Sequence, residues 1–265
     1  MHTTVSDGVW KREELFDYLR EGGFEAFSIT DHDAIDAYPV PVDLVERCIP
    51  GIEVDTKCNG VTARLLCYGI RTPDAPLLQR LRAQRAARKV RMEEIIAQLR
   101  RRGVDISLHD VERQADAAAS LGRPHLARAL VERGVVATVQ EAFDRLIADE
   151  GDAYVSLDRL ESAEAIRLAH ESKAIVSIAH PTRLKSAASL DALREAGADA
   201  MEVVHPTADE ALRSELSGYA EPHGLLETGG SDFHAPSPGY APGISYQSSV
   251  FERFITNLTG RRYLL

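Results

Sequence analysis

Seven residues in this sequence have the types and settings of metal ligands, and each lies in a short motif at the end of an apolar run. His2 and Asp7 stand in His2-Thr3-Thr4-Val5-Ser6-Asp7-Gly8, His32 in Thr30-Asp31-His32-Asp33 and Glu53 in Gly51-Ile52-Glu53-Val54. His180 stands in Ala179-His180-Pro181, and Asp232 and His234 in Gly230-Ser231-Asp232-Phe233-His234. A lone histidine among nine is ordinarily structural, but together these residues form a donor set of imidazoles and carboxylates without a thiolate. Such a set suits hard or borderline divalent ions, Mn²⁺, Zn²⁺ or Fe²⁺, rather than a structural cysteine site. Ions of this kind hold hydroxide at neutral pH and stabilise charge on an attacked phosphorus or carbonyl, and a carboxylate such as Glu53 can bridge two of them.

Elements that could gather these motifs follow from the apolar patterning. Glu13 to Glu21 reads as a helix and Phe24 to Ile29 as a strand leading into His32. Further strand-like runs lie at Cys48 to Val54, Arg64 to Ile70, Ala174 to Ala179, Ala200 to Val204 and Gly224 to Thr228. Helical stretches alternate with several of them, the pattern of an α/β sheet, and in such sheets the ligand site gathers at the carboxyl ends of the strands. Between 73 and 152 the alternation stops. Pro76 to Arg102, Leu126 to Val131 and Val139 to Ile147 all read as helical, so this segment is expected to be a helical insertion domain within a catalytic domain built from 1–72 and 153–265. A Pro-, Gly- and Ser-rich stretch, Ala235 to Gly243, precedes a short terminal helix.

The chain has 265 residues, 31 Lys and Arg against 41 Asp and Glu, and a net charge of −10. That balance disfavours a general nucleic-acid coating protein, which needs a basic footprint. No apolar run approaches the roughly 20 residues of a membrane span and the first residues lack a signal pattern, so the expected place is the cytoplasm. Cys48, Cys58 and Cys67 form no CxxC pair and read as reduced thiols. Ser6 and Ser231 lack a Ser-His-Asp order, and there is no Walker or dinucleotide loop.

The order of motifs resembles the PHP (polymerase and histidinol phosphatase) family of metal-dependent phosphoesterases over nearly the whole chain, with Gly230-Ser231-Asp232-Phe233-His234 the most specific part. Gly122-Arg123-Pro124-His125-Leu126-Ala127-Arg128-Ala129-Leu130 and Tyr154-Val155 look like the helical insert of the TrpH-like branch. That branch includes nucleoside 3′,5′-bisphosphate phosphatases and the 5′-to-3′ exoribonuclease RNase AM. The resemblance implies a distorted seven-stranded β/α barrel and three neighbouring metal sites. Asp7, His32 and His234 would hold one ion, His2, Glu53 and Asp232 a second, and Glu53 and His180 a third. It also implies that Arg123, His125 and Arg183 face the substrate phosphate, and that Asp232, His234 and His205 take part in catalysis, His205 as substrate ligand or proton donor unless it only supports its neighbours.

Two positions depart from the family pattern. The family opening reads Asp-Leu-His-x-His-Thr with Met1 at x, so the resemblance implies a further histidine and a first strand before Met1. Arg64 stands where a histidine ligand is expected, and a guanidinium cannot ligate a cation. The third site is therefore expected to be weak or empty, with Arg64 gripping a substrate phosphate instead.

From Gln79 to Arg102 nine basic residues face two acidic ones, either a solvated helix face or an attractor for a nucleotide or RNA end. The expected activity is hydrolysis of a phosphate ester of a 3′,5′-bisphosphate-type nucleotide, or of an RNA 5′ end, by metal-held hydroxide. No protein partner is evident. Alternatives are an impaired phosphate-binding protein or a histidinol-phosphatase-type enzyme, the latter disfavoured by the insert.

Overall fold

The computed structural model describes residues 1–70, 75–115, 120–148, 151, 153–184, 186–237, 240–245 and 247–260. Strands β1 (Gly51–Cys58) and β2 (Val61–Tyr68) form an antiparallel hairpin. Its turn, Asn59-Gly60, has φ of 50° and 77°, and a two-residue hairpin turn of this hand needs positive φ at both centres. A two-residue strand, β3 (Leu160–Glu161), lies parallel to β1. Strand β4 (Ile175–Ile178) pairs antiparallel with β2, and β5 (Ala200–Val204) and β6 (Leu226–Gly229) follow in parallel. The sheet order is β3-β1-β2-β4-β5-β6.

The expected strand at Phe24 to Ile29 is not a ladder. The segment touches its neighbour at the isolated bridges Phe27–Cys48 and His32–Glu53. The Tyr38 hydroxyl explains the break: it accepts from Ile29 N at 3.1 Å and donates to Ile29 O at 2.8 Å, taking both backbone groups that a ladder would use. Single hydrogen bonds then link the two sides of the sheet through the first residues. His2 N donates to Phe233 O, Thr30 N to Met1 O, and Glu53 N to Asp31 O.

Helix α1 (Arg12–Glu21) buries Leu15, Phe16 and Leu19 against Phe27 and Ile29. Between β2 and β3 come α2 (Pro76–Arg101), α3 (Leu108–Ala115), α4 (Arg123–Glu132) and α5 (Val139–Ala142), the last continued by a π-helical turn, Phe143–Ile147. Helix α2 begins with Pro76, whose missing N–H costs nothing at the first turn. It spans two cores. Leu77, Leu78 and Leu81 belong to the core under the sheet, whereas Met92, Ile95, Ile96 and Leu99 pack with Val111, Leu126 and Leu130. The expected domain boundaries at 72/73 and 152/153 fall on 71–74 and 152, outside the described residues. Helices α6 (Ser162–Glu171), α7 (Ala187–Glu195) and α8 (Glu210–Ala220) alternate with the later strands, and α9 (Ser248–Gly260) closes the chain. Residues 238–239 of the Pro- and Gly-rich stretch also lie outside the described residues. No helix among the described residues is long and apolar enough to cross a membrane.

Candidate metal centre

Each candidate ligand is carried on a short turn that other side chains hold in place. Asp31 accepts from Thr3 N at 2.7 Å, Thr3 Oγ1 at 2.8 Å and Ser6 Oγ at 2.6 Å, which pins the loop bearing His2 and Asp7 above the segment bearing His32. Gly8 closes that loop, and a Cβ there would lie 2.4 Å from His2 O. His180 follows β4 with φ of 27° and Asp232 follows β6 with φ of 48°. Left-handed backbone at a non-glycine residue costs on the order of 1–3 kcal/mol and persists where surroundings fix it. Here Glu202 Oε2 accepts from His180 N at 2.7 Å, and His234 Nδ1 donates to Asp232 O at 2.7 Å.

The ligand atoms converge on two shared residues. His2 Nε2 lies 3.0 Å from Glu53 Oε2 and 3.3 Å from Asp232 Oδ1. His32 reaches Asp7 Oδ2 and Glu53 Oε2, both at 3.6 Å, and His234 Nε2 is 3.4 Å from Asp7 Oδ1. The His2 and His234 rings stack with centroids 4.0 Å apart. Among the described residues, two groups bring donor atoms within 4.8 Å of one another: His2, Asp7, His32 and His234, and His2, Glu53 and Asp232. His180 Nε2 sits on the other oxygen of Glu53, Oε1, at 3.2 Å.

Burial alone would push Glu53 towards its neutral form, but the charge of His32, hydrogen bonds from His180 and His2, and Arg64 hold its carboxyl well below the usual range. Asp7 and Asp232 are likewise held low by histidines against burial. Burial opposes the charge on His2, yet hydrogen bonds to Asp232 and Glu53 raise it to about 10. Glu202 behaves in the opposite way: burial first, and then the charges of Asp232 and Glu53, push its carboxyl up to about 8.

Arg64 faces this cluster rather than solvent, with Nη1 3.7 Å from Glu53 Oε1 and Nε 3.0 Å from Asp55 Oδ1. Arg183 Nη2 is 3.5 Å from Asp232 Oδ2. His205 Nε2 lies 3.5 Å from the same oxygen. Its Nδ1 accepts from Thr207 N at 3.2 Å, so the neutral ring carries its proton on Nε2. The structure does not bring Arg123 to the cluster: its Nη1 donates to Ile147 O at 2.9 Å and its guanidinium lies over Phe143. The carbonyls at the end of the π-helical turn need donors, and Arg123 supplies one. His125 is buried at the start of α4, where Nδ1 accepts from Gly122 N at 3.0 Å. Burial and the nearby Arg128 lower its pKa to about 4, so it serves as a neutral helix cap.

The basic helix is also less free than its sequence suggests. Arg85 pairs with Asp36 at 2.8 Å and Lys89 with Glu112 at 3.0 Å. Arg88 and Arg91 are buried, the first on Asp33 and Asp55 and the second on Val155 O. Sequence reasoning passed over Glu202, Asp31 and the Asp33–Asp55–Arg88 set. A charged residue inside the apolar run of β5 was the available signal for Glu202, and two aspartates flanking His32 were the signal for the others.

The donor set fits divalent ions. Asp7 Oδ1, His32 Nδ1 and His205 Nε2 are buried without a hydrogen-bond partner, and a native cluster with several such orphans is completed by something else. No protein-family model matches the chain. It is 29% identical to the 5′-3′ exoribonuclease Rnm of Escherichia coli K12 over 249 residues, covering 89% of this chain and 84% of that one. It is 26% identical to the 3′,5′-nucleoside bisphosphate phosphatase of Chromobacterium violaceum over 247 residues, 90% of this chain and 87% of that one. A crystal structure from Bifidobacterium adolescentis, provisionally classed as a metal-dependent phosphoesterase, superposes with a TM-score of 0.84 at 27% identity, covering 97% of this chain and 94% of that one.

Proposed function

The chain belongs to the PHP-like metal-dependent phosphoesterases, and from that premise we propose that it hydrolyses a phosphate ester of a 3′,5′-bisphosphate-type nucleotide or of an RNA 5′ end. The observation that carries this reading is the convergence of His2, Glu53 and Asp232 beside the group of Asp7, His32 and His234, with orphaned donor atoms at its centre. Both named relatives act on RNA or nucleotide phosphates, which supports the substrate class.

The two groups would hold two divalent ions, with Mn²⁺, Zn²⁺ or Fe²⁺ suited to the mixed nitrogen and oxygen donors. Bound there, such ions supply positive charge to a phosphoryl group and acidity to a water. A third position fits poorly, because Arg64 stands on the Oε1 side of Glu53 beside His180, and its guanidinium is not a ligand. The chain's own groups do the rest. Arg183 binds the oxygens of the reacting phosphate, since its side chain is half exposed and aimed at Asp232. His205 donates the Nε2 proton to the leaving oxygen, and the two hydrogen bonds from Thr207 to Nδ1 keep the proton on that nitrogen. Glu202 fixes the strained His180 turn. His125 and Arg128 hold α4 against the Asp7 loop, Arg128 Nη1 donating to Asp7 O at 3.2 Å. The helices between β2 and β3 are proposed to form an insertion domain around their own core. Three free cysteines, two of them buried, support action in the reducing cytoplasm.

Release of inorganic phosphate from adenosine 3′,5′-bisphosphate tests this reading. Turnover that needs Mn²⁺, stops with chelator and is lost in Asp232→Ala is the expected result. A fully loaded protein that leaves both the nucleotide and a 5′-phosphorylated oligoribonucleotide intact would contradict it.

A further inference from the structure

The face of β1 that carries Glu53 continues to Asp55, two residues along and therefore on the same side of the strand. Register places Arg64 of β2 directly opposite Asp55. Arg159 precedes the Thr56–Leu160 pair by one residue and so flanks Asp55 on the other edge. Three adjacent chains thus line up Arg159, Asp55 and Arg64 in one row. Arg64 Nε lies 3.0 Å from Asp55 Oδ1, and Arg159 Nε 3.9 Å from Asp55 Oδ2.

Behind the row, Arg88 of α2 reaches Asp55 Oδ2 at 2.6 Å and Asp33 Oδ2 at 2.7 Å. Three guanidinium groups meeting two carboxylates leave one positive charge in surplus. Arg88 is fully paired and needs no further anion. Arg159 is not: its side chain is 12% exposed, and its buried Nε has no hydrogen-bond partner. Arg64, 28% exposed, opens the row towards the metal centre. A buried cation with an unmet donor is costly unless an anion completes it. The next turn of α2 repeats the pattern, because Arg91 also keeps a buried Nη2 without a partner. Burial, then repulsion from Arg123, Arg159 and Arg88, lowers the Arg91 pKa to about 10, in keeping with a wall of positive potential.

Two residues of strand rise place this row about 6–7 Å from Glu53, too far for its cations to share the reacting phosphate with the ligands. We propose that Arg64 and Arg159 form an anion subsite for the second, non-reacting phosphate of a nucleotide substrate, one strand step from the metal centre. Guanidinium groups suit this task because they present paired N–H donors to phosphate oxygens. Asp55 holds Arg64 in place, and its own charge is covered by Arg88. The proposal rests on the phosphoesterase reading above and sharpens its substrate to nucleotides with two separate phosphates or to a phosphodiester chain.

Two measurements on the full chain separate the proposal from that reading. In metal-free protein, Arg159→Ala should weaken binding of adenosine 3′,5′-bisphosphate about tenfold or more without a matching loss for adenosine. In manganese-loaded protein, the ratio of kcat/KM for the bisphosphate to that for p-nitrophenyl phosphate should fall by a similar factor. Arg159→Lys, which keeps the charge, should recover part of both losses, and thermal melting of each variant guards against misfolding. Equal bisphosphate affinity in wild type and Arg159→Ala, including an equal absence of binding, overturns the subsite, as does an unchanged kcat/KM ratio. If Arg159-dependent binding stands while neither substrate is hydrolysed, the subsite survives and the phosphoesterase reading falls.

Discussion

Two buried ionic clusters lie one step apart on β1, and they are built on opposite terms. Around Asp33 and Asp55 the contacts are short and complete. Arg88 reaches both carboxylates at 2.6–2.7 Å, Gln84 Nε2 donates to Asp33 at 3.0 Å and to Asp55 O at 2.8 Å, and Asp55 N donates to Asp33 Oδ1 at 3.0 Å. Around Glu53 and Asp7 several contacts are long, 3.4–3.6 Å, and buried donor and acceptor atoms go unmatched. Both clusters hold carboxylates and cations in a low-dielectric interior. The difference is that the first cluster satisfies itself and the second leaves room for something else. A saturated network fixes structure, whereas an unsaturated one points to a ligand.

Substitutions should separate the two clusters sharply. Glu53→Ala or Asp232→Ala should reduce turnover by more than about 100-fold, since the change removes a group shared by several ligand contacts. The same change should leave the melting temperature of metal-free protein unchanged or raised, because like charges crowded in the interior are relieved. Arg88→Met should do the reverse. Removing one partner of a buried, fully paired network leaves Asp33 and Asp55 uncompensated and should cost about 3–5 kcal/mol in denaturant unfolding. If Arg88→Met melts like wild type, or Glu53→Ala unfolds at room temperature, the contrast between the clusters is wrong.

Proton linkage supplies a smaller and graded test. The carboxyls of Glu53, Asp7 and Asp232 are depressed in the folded chain, so their stabilising contribution is present above the ordinary carboxylate range, about 4, and is lost as pH falls below it. His2 is raised to about 10. Its contribution is complete below the ordinary histidine value, about 6.5, and fades as pH climbs towards 10. Metal-free protein should therefore be most stable between these limits. With divalent ions bound the optimum should move upward, because ligation requires a neutral His2 and releases its proton. Melting temperature against pH, with and without Mn²⁺, would show the shift; an identical profile in both states would count against ligation by His2.

The two clusters also differ in how far they could be read from sequence. Candidate ligands announce themselves by type, because histidine and carboxylate at the ends of apolar runs have few other reasons to recur. The network of Asp33, Asp55, Arg64, Arg88 and Arg159 does not, since its members are brought together by hairpin register and by the face of α2 turned inward. In a linear reading, Arg88 and Arg91 were two cations among nine on a helix that looked solvated; their burial follows from aspartates and a carbonyl far away in the chain. The strand expected at Phe24 to Ile29 failed for a similar reason. Its apolar pattern was genuine, but a tyrosine hydroxyl nine residues on takes both backbone groups of Ile29. Strands β2, β4, β5 and β6 were legible within about two residues because their runs are buried on both faces and interrupted by turn residues.

Counting ions tests the central claim most directly. Elemental analysis of the chain after loading with Mn²⁺ and removal of free ion should give two per chain, and Glu53→Ala should retain at most one. A wild-type chain that takes up no ion, or a Glu53→Ala chain that keeps the wild-type number, would contradict the assignment of this cluster as the metal centre.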